Sequence, residues 1–164
     1  MKFFKNKKTK NSGMAEIYGF HSVIAALNNA NRKHQKLAIS QAHKSILTEK
    51  IKQNVKEVLV LPNKEMFKLY GGENTHQGIV LTTSSLIQPG LDIILEESIN
   101  KKIEIVVMLD QVTDPNNIGS IMRSCILFNC KSVIVSKDNA PDITSTIAKA
   151  ASGALEVINY IKVT

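Results

Sequence analysis

The sequence predicts an α/β protein, in which a small N-terminal α/β unit precedes a second domain built on a parallel sheet. Apolar, β-branched runs alternate with segments of helical period along the chain, which is the pattern of strand–helix–strand units. A stretch rich in Ser, Pro and Gly at residues 84–90 interrupts both periods. At 164 residues, the chain is long enough for one ordinary domain or two small ones.

The predicted first unit spans residues 15–83 and follows a basic leader, residues 1–14, that we expect to be disordered. Apolar spacing of three and four predicts its helices, and β-branched runs predict its strands. The predicted helices are 22–29, 45–54 and 64–70, and the predicted strands are 36–40, 55–61 and 78–83. Together they indicate a compact βαβ-type module.

Residues 84–90 are the predicted linker, and residues 91–164 are the predicted second domain. Its predicted helices are 91–99, 117–128 and 141–152, and its predicted strands are 103–109, 132–136 and 156–163. In the first of these helices Leu91, Ile94 and Leu95 form an apolar stripe that we expect to face the core.

Charge is distributed unevenly along the chain. Residues 1–56 hold twelve of the 21 basic residues but only two of the 14 acidic ones, so they are strongly cationic and the rest is slightly anionic. Such an asymmetry indicates a module that meets a polyanion. A lysine-rich composition alone would also produce this charge asymmetry. The candidate RNA contacts here are Lys7, Lys8, Arg32 and Lys33.

Several functional classes are disfavoured by the sequence. Cys125 and Cys130 lack metal-site spacing, so we expect reduced core thiols and no metal. No apolar run is long enough to span a membrane, and the leader lacks the apolar region of a signal peptide. A cytoplasmic protein without membrane contact is therefore expected.

The strand–loop–helix at residues 108–125 carries the most chemical information. Asp114 precedes a proline and is therefore kept out of a helix, and Asn116 or Asn117 is expected to cap the helix that follows. Gly119 permits close approach of another backbone or a ligand. Arg123 can reach back toward the loop, where its guanidinium suits a phosphate or carboxylate. Taken alone, the pattern also fits a capped helix with one surface arginine.

Residues 109–125, Leu-Asp-Gln-Val-Thr-Asp-Pro-Asn-Asn-Ile-Gly-Ser-Ile-Met-Arg-Ser-Cys, resemble motif 1 of the SpoU/TrmH (SPOUT-type) RNA 2′-O-ribose methyltransferases. Residues 136–144 and 149–156 are similar to the second strand–helix segment of that family. Residues 71–80, after residues 17–21, resemble the substrate-binding domain of bacterial members that methylate guanosine in 23S ribosomal RNA. The resemblance covers about residues 16–164 and implies the first part of a knotted, Rossmann-like SPOUT domain.

The resemblance implies roles for individual residues. Arg123 would help to remove the proton of the target 2′-hydroxyl group while S-adenosyl-L-methionine supplies the methyl group, and Asn117 would help to place that ribose. Arginine is a surprising base because it stays protonated in ordinary settings. His76, Gln77 and Gly78 match a loop that would touch RNA; such a sequence also fits a polar turn before a strand.

The sequence departs from the family pattern at its C-terminal end. Motifs 2 and 3, which in the family form the knot, bind most of the cofactor and build the homodimer face, would lie beyond Thr164. We therefore expect a C-terminally truncated version of a longer protein. A chain ending there is not expected to bind S-adenosylmethionine.

Three functions are compatible with these observations. The first is an RNA 2′-O-methyltransferase, inactive or partial as it stands, with 23S ribosomal RNA favoured over transfer RNA. The second is a non-catalytic RNA-binding protein that uses its N-terminal, ribosomal-protein-like module. The third, another kind of nucleotide-binding α/β protein, is disfavoured because no glycine-rich phosphate loop follows any strand. The first is the function that we predict.

Overall fold

The computed structural model describes residues 13–99 and 104–164, whose strands form two sheets. The strands are β1 (Met14–Tyr18), β2 (His34–Ser40), β3 (Val55–Leu61), β4 (Ile79–Ser84), β5 (Val106–Leu109), β6 (Ser132–Ser136) and β7 (Asn159–Val163). The α-helices are α1 (Phe20–Asn28), α2 (Glu49–Asn54), α3 (Asn63–Tyr70), α4 (Glu73–His76), α5 (Asp92–Ser98), α6 (Pro115–Leu127) and α7 (Ser145–Ala151). Two 3-10 helices cover Gln41–Ile46 and Ala154–Glu156. The predicted α/β class is confirmed.

The first sheet has the strand order β1-β4-β2-β3. Parallel pairing of β2 with β3 around α2 confirms the predicted βαβ unit, and β3 has its predicted bounds. β4 runs antiparallel to both of its neighbours. The edge strand β1 was not predicted, because its sequence, Met-Ala-Glu-Ile-Tyr, contains a single β-branched residue and no continuous apolar run.

The second sheet contains three parallel strands in the order β5-β6-β7, as expected for this part of the chain. β6 has its predicted bounds. The prediction of a strand from residue 156 is wrong, because Ala154–Glu156 form a 3-10 helix and β7 begins at Asn159. The first residue of the predicted strand 103–109 lies outside the described residues.

Helix α7 begins at Ser145, four residues later than predicted. The hydroxyl of Thr144 caps it by accepting a hydrogen bond from the backbone N–H of Ile147 (3.2 Å). The preceding residues bind β7 instead of joining the helix: the hydroxyl of Tyr160 donates to the carbonyl of Pro141 (3.0 Å).

The expectation that α5 buries an apolar stripe is wrong for the described residues. Leu91 is 50% exposed and Leu95 is 70% exposed. Helical periodicity identified the helix, but it does not show which surface, if any, covers the apolar face.

A single buried apolar cluster connects the two sheets. Side chains of α1 and β2 lie in the same cluster as those of α6, α7 and β7. Hydrogen bonds reinforce this packing: the hydroxyl of Ser22 donates to the carbonyl of Ala148 (2.7 Å), and the hydroxyl of Ser145 donates to the carbonyl of Glu16. The division into residues 15–83, 84–90 and 91–164 remains a prediction, whereas the contact between the sheets is observed.

Within residues 13–99 and 104–164, the structure has no helix with both the length and the hydropathy needed to cross a membrane. Over the same residues, no three His, Cys, Asp or Glu side chains are grouped as metal ligands.

The two cysteines are buried near the end of α6, where the thiol of Cys130 donates to the carbonyl of Ser132 (3.4 Å). Burial, with a further contribution from neighbouring Cys130, raises the pKa of Cys125 to about 11 from an ordinary value of 9.0. The folded state therefore favours the neutral thiol.

We expect the free energy of unfolding to fall as the pH rises from about 9 to about 11, because the unfolded chain then releases a proton that folded Cys125 retains. Below about pH 9 this contribution is fully present. Urea titrations of wild type and Cys125→Ala at about pH 8 and about pH 10.5 measure it. The variant should lose less stability over this interval, and equal losses would contradict the assignment.

Candidate functional site

The site is built around the start of α6, which follows the carboxyl end of β5. Asp114 is the helix cap and accepts a hydrogen bond from the backbone N–H of Asn116 (3.0 Å). Pro115 occupies the first turn, where it needs no N–H partner. The expectation that Asn116 or Asn117 caps the helix is therefore wrong. The physical reason is that the ring of Pro115 already fixes the φ angle of a helix, so the helix begins at Pro115 and its cap is the preceding residue, Asp114.

Gly119 brings α6 against α7. A Cβ atom placed at Gly119 would lie 2.5 Å from the Cβ of Ala150 and 2.7 Å from the backbone nitrogen of Ala151. The predicted close approach at this glycine is thus confirmed. It places Lys149 of α7 beside the cavity that Arg123 also lines.

Arg123 lies in the middle of α6 and is exposed. Its Nη2 atom donates a long hydrogen bond to the hydroxyl of Ser120 (3.4 Å), one turn earlier on the helix. Asn117 is also exposed and lines the same cavity. The structure thus brings the two residues of the predicted catalytic pair together.

Residues next to the strands of the first sheet also line the cavity. Gly19, between β1 and α1, and Gln77, before β4, both line it. Gly19 has φ +92°, a conformation that favours glycine, and a Cβ there would lie 3.1 Å from Cγ of Lys149. Gln77 accepts a hydrogen bond from the backbone N–H of Phe20 through Oε1 (3.1 Å).

The resulting cavity, here called the interdomain cavity, has a volume of about 700 Å³. It is lined by Tyr18, Gly19, His21, Ser22, Thr75, Gln77, Asn116, Asn117, Ser120, Arg123, Thr146, Lys149, Ala150 and Ser152. Among the described residues of this lining, the charged side chains are those of Arg123 and Lys149, and this positive charge suits an anionic ligand. A larger neighbouring groove of about 920 Å³ shares Tyr18, Thr75 and Thr146 with it.

The other predicted site residues have different positions. His76 and Gly78 are buried beside Gln77 and do not line the cavity. Arg32 is only 6% exposed, and its guanidinium binds Glu156, so the expectation that it contacts RNA is contradicted by its burial. Lys33 is exposed but does not line the interdomain cavity. Lys7 and Lys8 lie outside the described residues.

Sequence reasoning missed Lys149 and Gly19. Lys149 was part of a passage that resembles the family, but a lysine in a helix carries no signal of its own. Gly19 is one of eight glycines in the sequence, and only its close approach to Lys149 and Gln77 identifies it.

Two family profiles match the two parts of the chain. The profile "RNA 2'-O ribose methyltransferase substrate binding" matches residues 17–89, and the profile "SpoU rRNA Methylase family" matches residues 104–164. The 23S rRNA (guanosine-2′-O-)-methyltransferase RlmB of Coxiella burnetii is 33% identical over 160 residues, which are 93% of this chain and 62% of that protein. RlmB of Pasteurella multocida is 31% identical over 157 residues, again 62% of its length.

Among solved structures, the AdoMet-bound rRNA methyltransferase from Sinorhizobium meliloti has the same fold, with a TM-score of 0.68 at 21% identity. The match covers 91% of this chain and 54% of that one. This chain thus spans between half and two thirds of the length of the proteins that it matches. On the two profiles, the curated relatives and the shared fold, the chain belongs to the SpoU/TrmH family of RNA 2′-O-ribose methyltransferases.

Proposed function

We propose that this chain supplies the RNA-binding side of an RNA 2′-O-methyltransferase that acts on 23S ribosomal RNA with S-adenosylmethionine as methyl donor. The observation that carries the proposal is the interdomain cavity. Asn117 and Arg123 of α6 line it together with Gln77, which lies between α4 and β4. The relatives that carry the name RlmB support guanosine as the target nucleoside.

In this proposal the interdomain cavity holds a phosphate and the ribose next to it. The planar fork of Arg123 binds two phosphate oxygens, and Lys149 adds a second positive charge to the same cavity. The amide of Asn117 has both donors and an acceptor, which match the hydroxyl groups of a ribose. A guanidinium that stays protonated can donate a hydrogen bond to the 2′ oxygen and stabilise negative charge on it.

The interdomain cavity does not by itself fit S-adenosylmethionine. The sulfonium of that cofactor is cationic, and the charged side chains among the described lining residues are Arg123 and Lys149. Ala150 is the one aliphatic side chain among those residues, whereas a site for an adenine ring usually has several apolar walls. The proposed role of these residues is therefore confined to the RNA, and the cofactor requires contacts beyond this set.

Replacing Arg123 with alanine is expected to weaken binding to a 23S rRNA transcript about tenfold, because one charged hydrogen-bonding group is lost. The slope of log K against log salt concentration should also decrease in magnitude by about one, which is the contribution of one phosphate contact. Filter binding over a series of salt concentrations measures both quantities.

Lys131→Ala is the matched control, since Lys131 is exposed, carries the same charge and does not line the cavity. It should leave affinity nearly unchanged. Equal losses in the two variants would show that only net charge matters. Tight binding that survives Arg123→Ala and requires the first sheet would instead favour the non-catalytic RNA-binding protein.

Two finer expectations accompany the proposal. A protein that acts on ribosomal RNA would work in the cytoplasm. Homodimerisation, which the family resemblance implies through a face largely beyond Thr164, remains a prediction.

A further inference from the structure

The loop at residues 76–78 holds its side chains in two very different environments. His76 is 3% exposed, whereas Gln77 is exposed and lines the interdomain cavity. Sequence resemblance gave both residues the same expected role, contact with RNA. The exposed side chain of Gln77 can contact RNA, whereas the buried side chain of His76 cannot.

Both ring nitrogens of His76 are hydrogen-bonded to backbone groups that flank α4. The N–H of Gly78, after α4, donates to Nδ1 (2.8 Å), so Nδ1 is the unprotonated nitrogen. Nε2 then carries the proton and donates to the carbonyl of Gly71, before α4 (3.0 Å). A single neutral tautomer satisfies both contacts and connects the segments on the two sides of α4.

Between these contacts Gln77 adopts a left-handed conformation, with φ +53°. A glutamine rarely adopts this conformation unless its surroundings impose it. His43 contributes, because its Nε2–H donates to the carbonyl of Gln77 (2.8 Å). On the next residue, a Cβ at Gly78 would lie 2.7 Å from Oγ of Ser40, which leaves no room for a larger side chain.

The side-chain amide of Gln77 is oriented as well. Its Oε1 accepts from the backbone N–H of Phe20, so the other end of the amide is the NH₂ group. That group can only donate, and it belongs to a side chain that lines the cavity with Arg123. Phosphate, ribose and base carbonyl oxygens of RNA are all acceptors.

From these contacts we infer that Gln77 is an RNA-binding residue whose NH₂ group donates to the RNA held by Arg123, and that buried His76 is the positioning residue which fixes its orientation. The inference rests on the proposed function. It assigns different tasks to two adjacent residues: one binds the ligand, and the other acts only through the first.

Gln77→Glu tests the contact itself. Glutamate keeps an oxygen for the Phe20 N–H but replaces the donor with a negative charge facing RNA, so affinity for a 23S rRNA transcript should fall more than tenfold. Gln53→Glu is the matched control, because Gln53 is exposed on α2 and does not line the cavity. Equal affinities of Gln77→Glu and Gln53→Glu would overturn the contact.

A double-mutant cycle tests the positioning role. If His76 acts through Gln77, His76→Ala should weaken RNA binding, and adding His76→Ala to Gln77→Ala should weaken it no further. His76→Asn, whose Oδ1 can accept near the position of Nδ1, should restore part of the affinity. Additive losses in the cycle would overturn the positioning role, because they would mean that His76 contributes to binding independently of Gln77.

The orientation can also be examined without RNA. Long-range ¹H–¹⁵N spectra of the wild-type chain should show His76 protonated at Nε2 alone, and any other tautomer would refute the hydrogen-bond pattern. Failure of the wild-type chain to bind RNA would overturn the proposed function together with the contact of Gln77. Binding that depends on Arg123 but not on Gln77 would overturn only the inference.

Discussion

Replacing Arg32 with alanine is expected to lower the free energy of unfolding by about 3–5 kcal/mol, because it leaves a buried carboxylate without its partner. The guanidinium of Arg32 binds both carboxylate oxygens of Glu156, through Nε (2.8 Å) and Nη2 (2.8 Å). Only 2% of the Arg32 side chain and 7% of the Glu156 side chain are exposed. Solvent therefore screens this pair far less than a surface pair.

Further hydrogen bonds complete the pair. Nη1 of Arg32 donates to the carbonyl of Ser84 (2.6 Å), and Nδ2 of Asn29 donates to Oε2 of Glu156 (2.7 Å). Asn29 and Arg32 follow α1, whereas Glu156 ends the 3-10 helix before β7. The pair therefore joins the part of the chain that contains the first sheet to the part that contains the second.

Urea denaturation followed by circular dichroism measures this loss. Lys33→Ala is the control, since it removes the same charge from an exposed neighbour and should cost less than about 0.5 kcal/mol. The double variant Arg32→Ala/Glu156→Gln should lose less free energy of unfolding than the two single variants lose together, because no buried charge is then left unpaired. A loss below about 1 kcal/mol in Arg32→Ala would contradict the buried pair.

Arg32 also illustrates what sequence alone could not predict. Its basic neighbours indicated a polyanion-binding surface, and nothing local distinguishes a buried arginine from an exposed one. Its partner lies 124 residues further along the chain. Strands β3 and β6 could be predicted to their end residues because β-branched runs are a local signal, whereas pairing between distant charges depends on the tertiary structure.

The residues of the candidate site differ in the same way: some have a local sequence signal, and others are brought to the site only by the tertiary structure. Asn117 and Arg123 were found because a strand, a loop and a helix start follow one another in sequence. Lys149 lines their cavity only because α7 packs on α6, and Gln77 lines it only because the two sheets are joined by one buried apolar cluster. The division of tasks between His76 and Gln77 depends on which side chain is buried, and a three-residue motif does not contain that information.

Gly119→Ala is expected to lower the free energy of unfolding by about 1–3 kcal/mol, although alanine is the better helix former by about 1 kcal/mol. The reason is lack of space. An added Cβ would lie 2.5 Å from the Cβ of Ala150 and 2.8 Å from its carbonyl carbon, so α7 would have to move away by on the order of 1 Å. The end of a flexible side chain can move aside to relieve such a contact, but the backbone of a packed helix cannot.

Gly72→Ala is the matched control. A Cβ at Gly72 would meet only Cε2 of Phe67, at 4.0 Å, so the same substitution should be neutral or slightly stabilising there. Thermal unfolding of both variants compares the two positions directly. Because displacement of α7 also moves Lys149 relative to Arg123, Gly119→Ala should weaken RNA binding even at temperatures where the variant is fully folded. A variant as stable as wild type, with unchanged RNA affinity, would mean that α6 and α7 can separate without cost and that their contact does not set the width of the interdomain cavity.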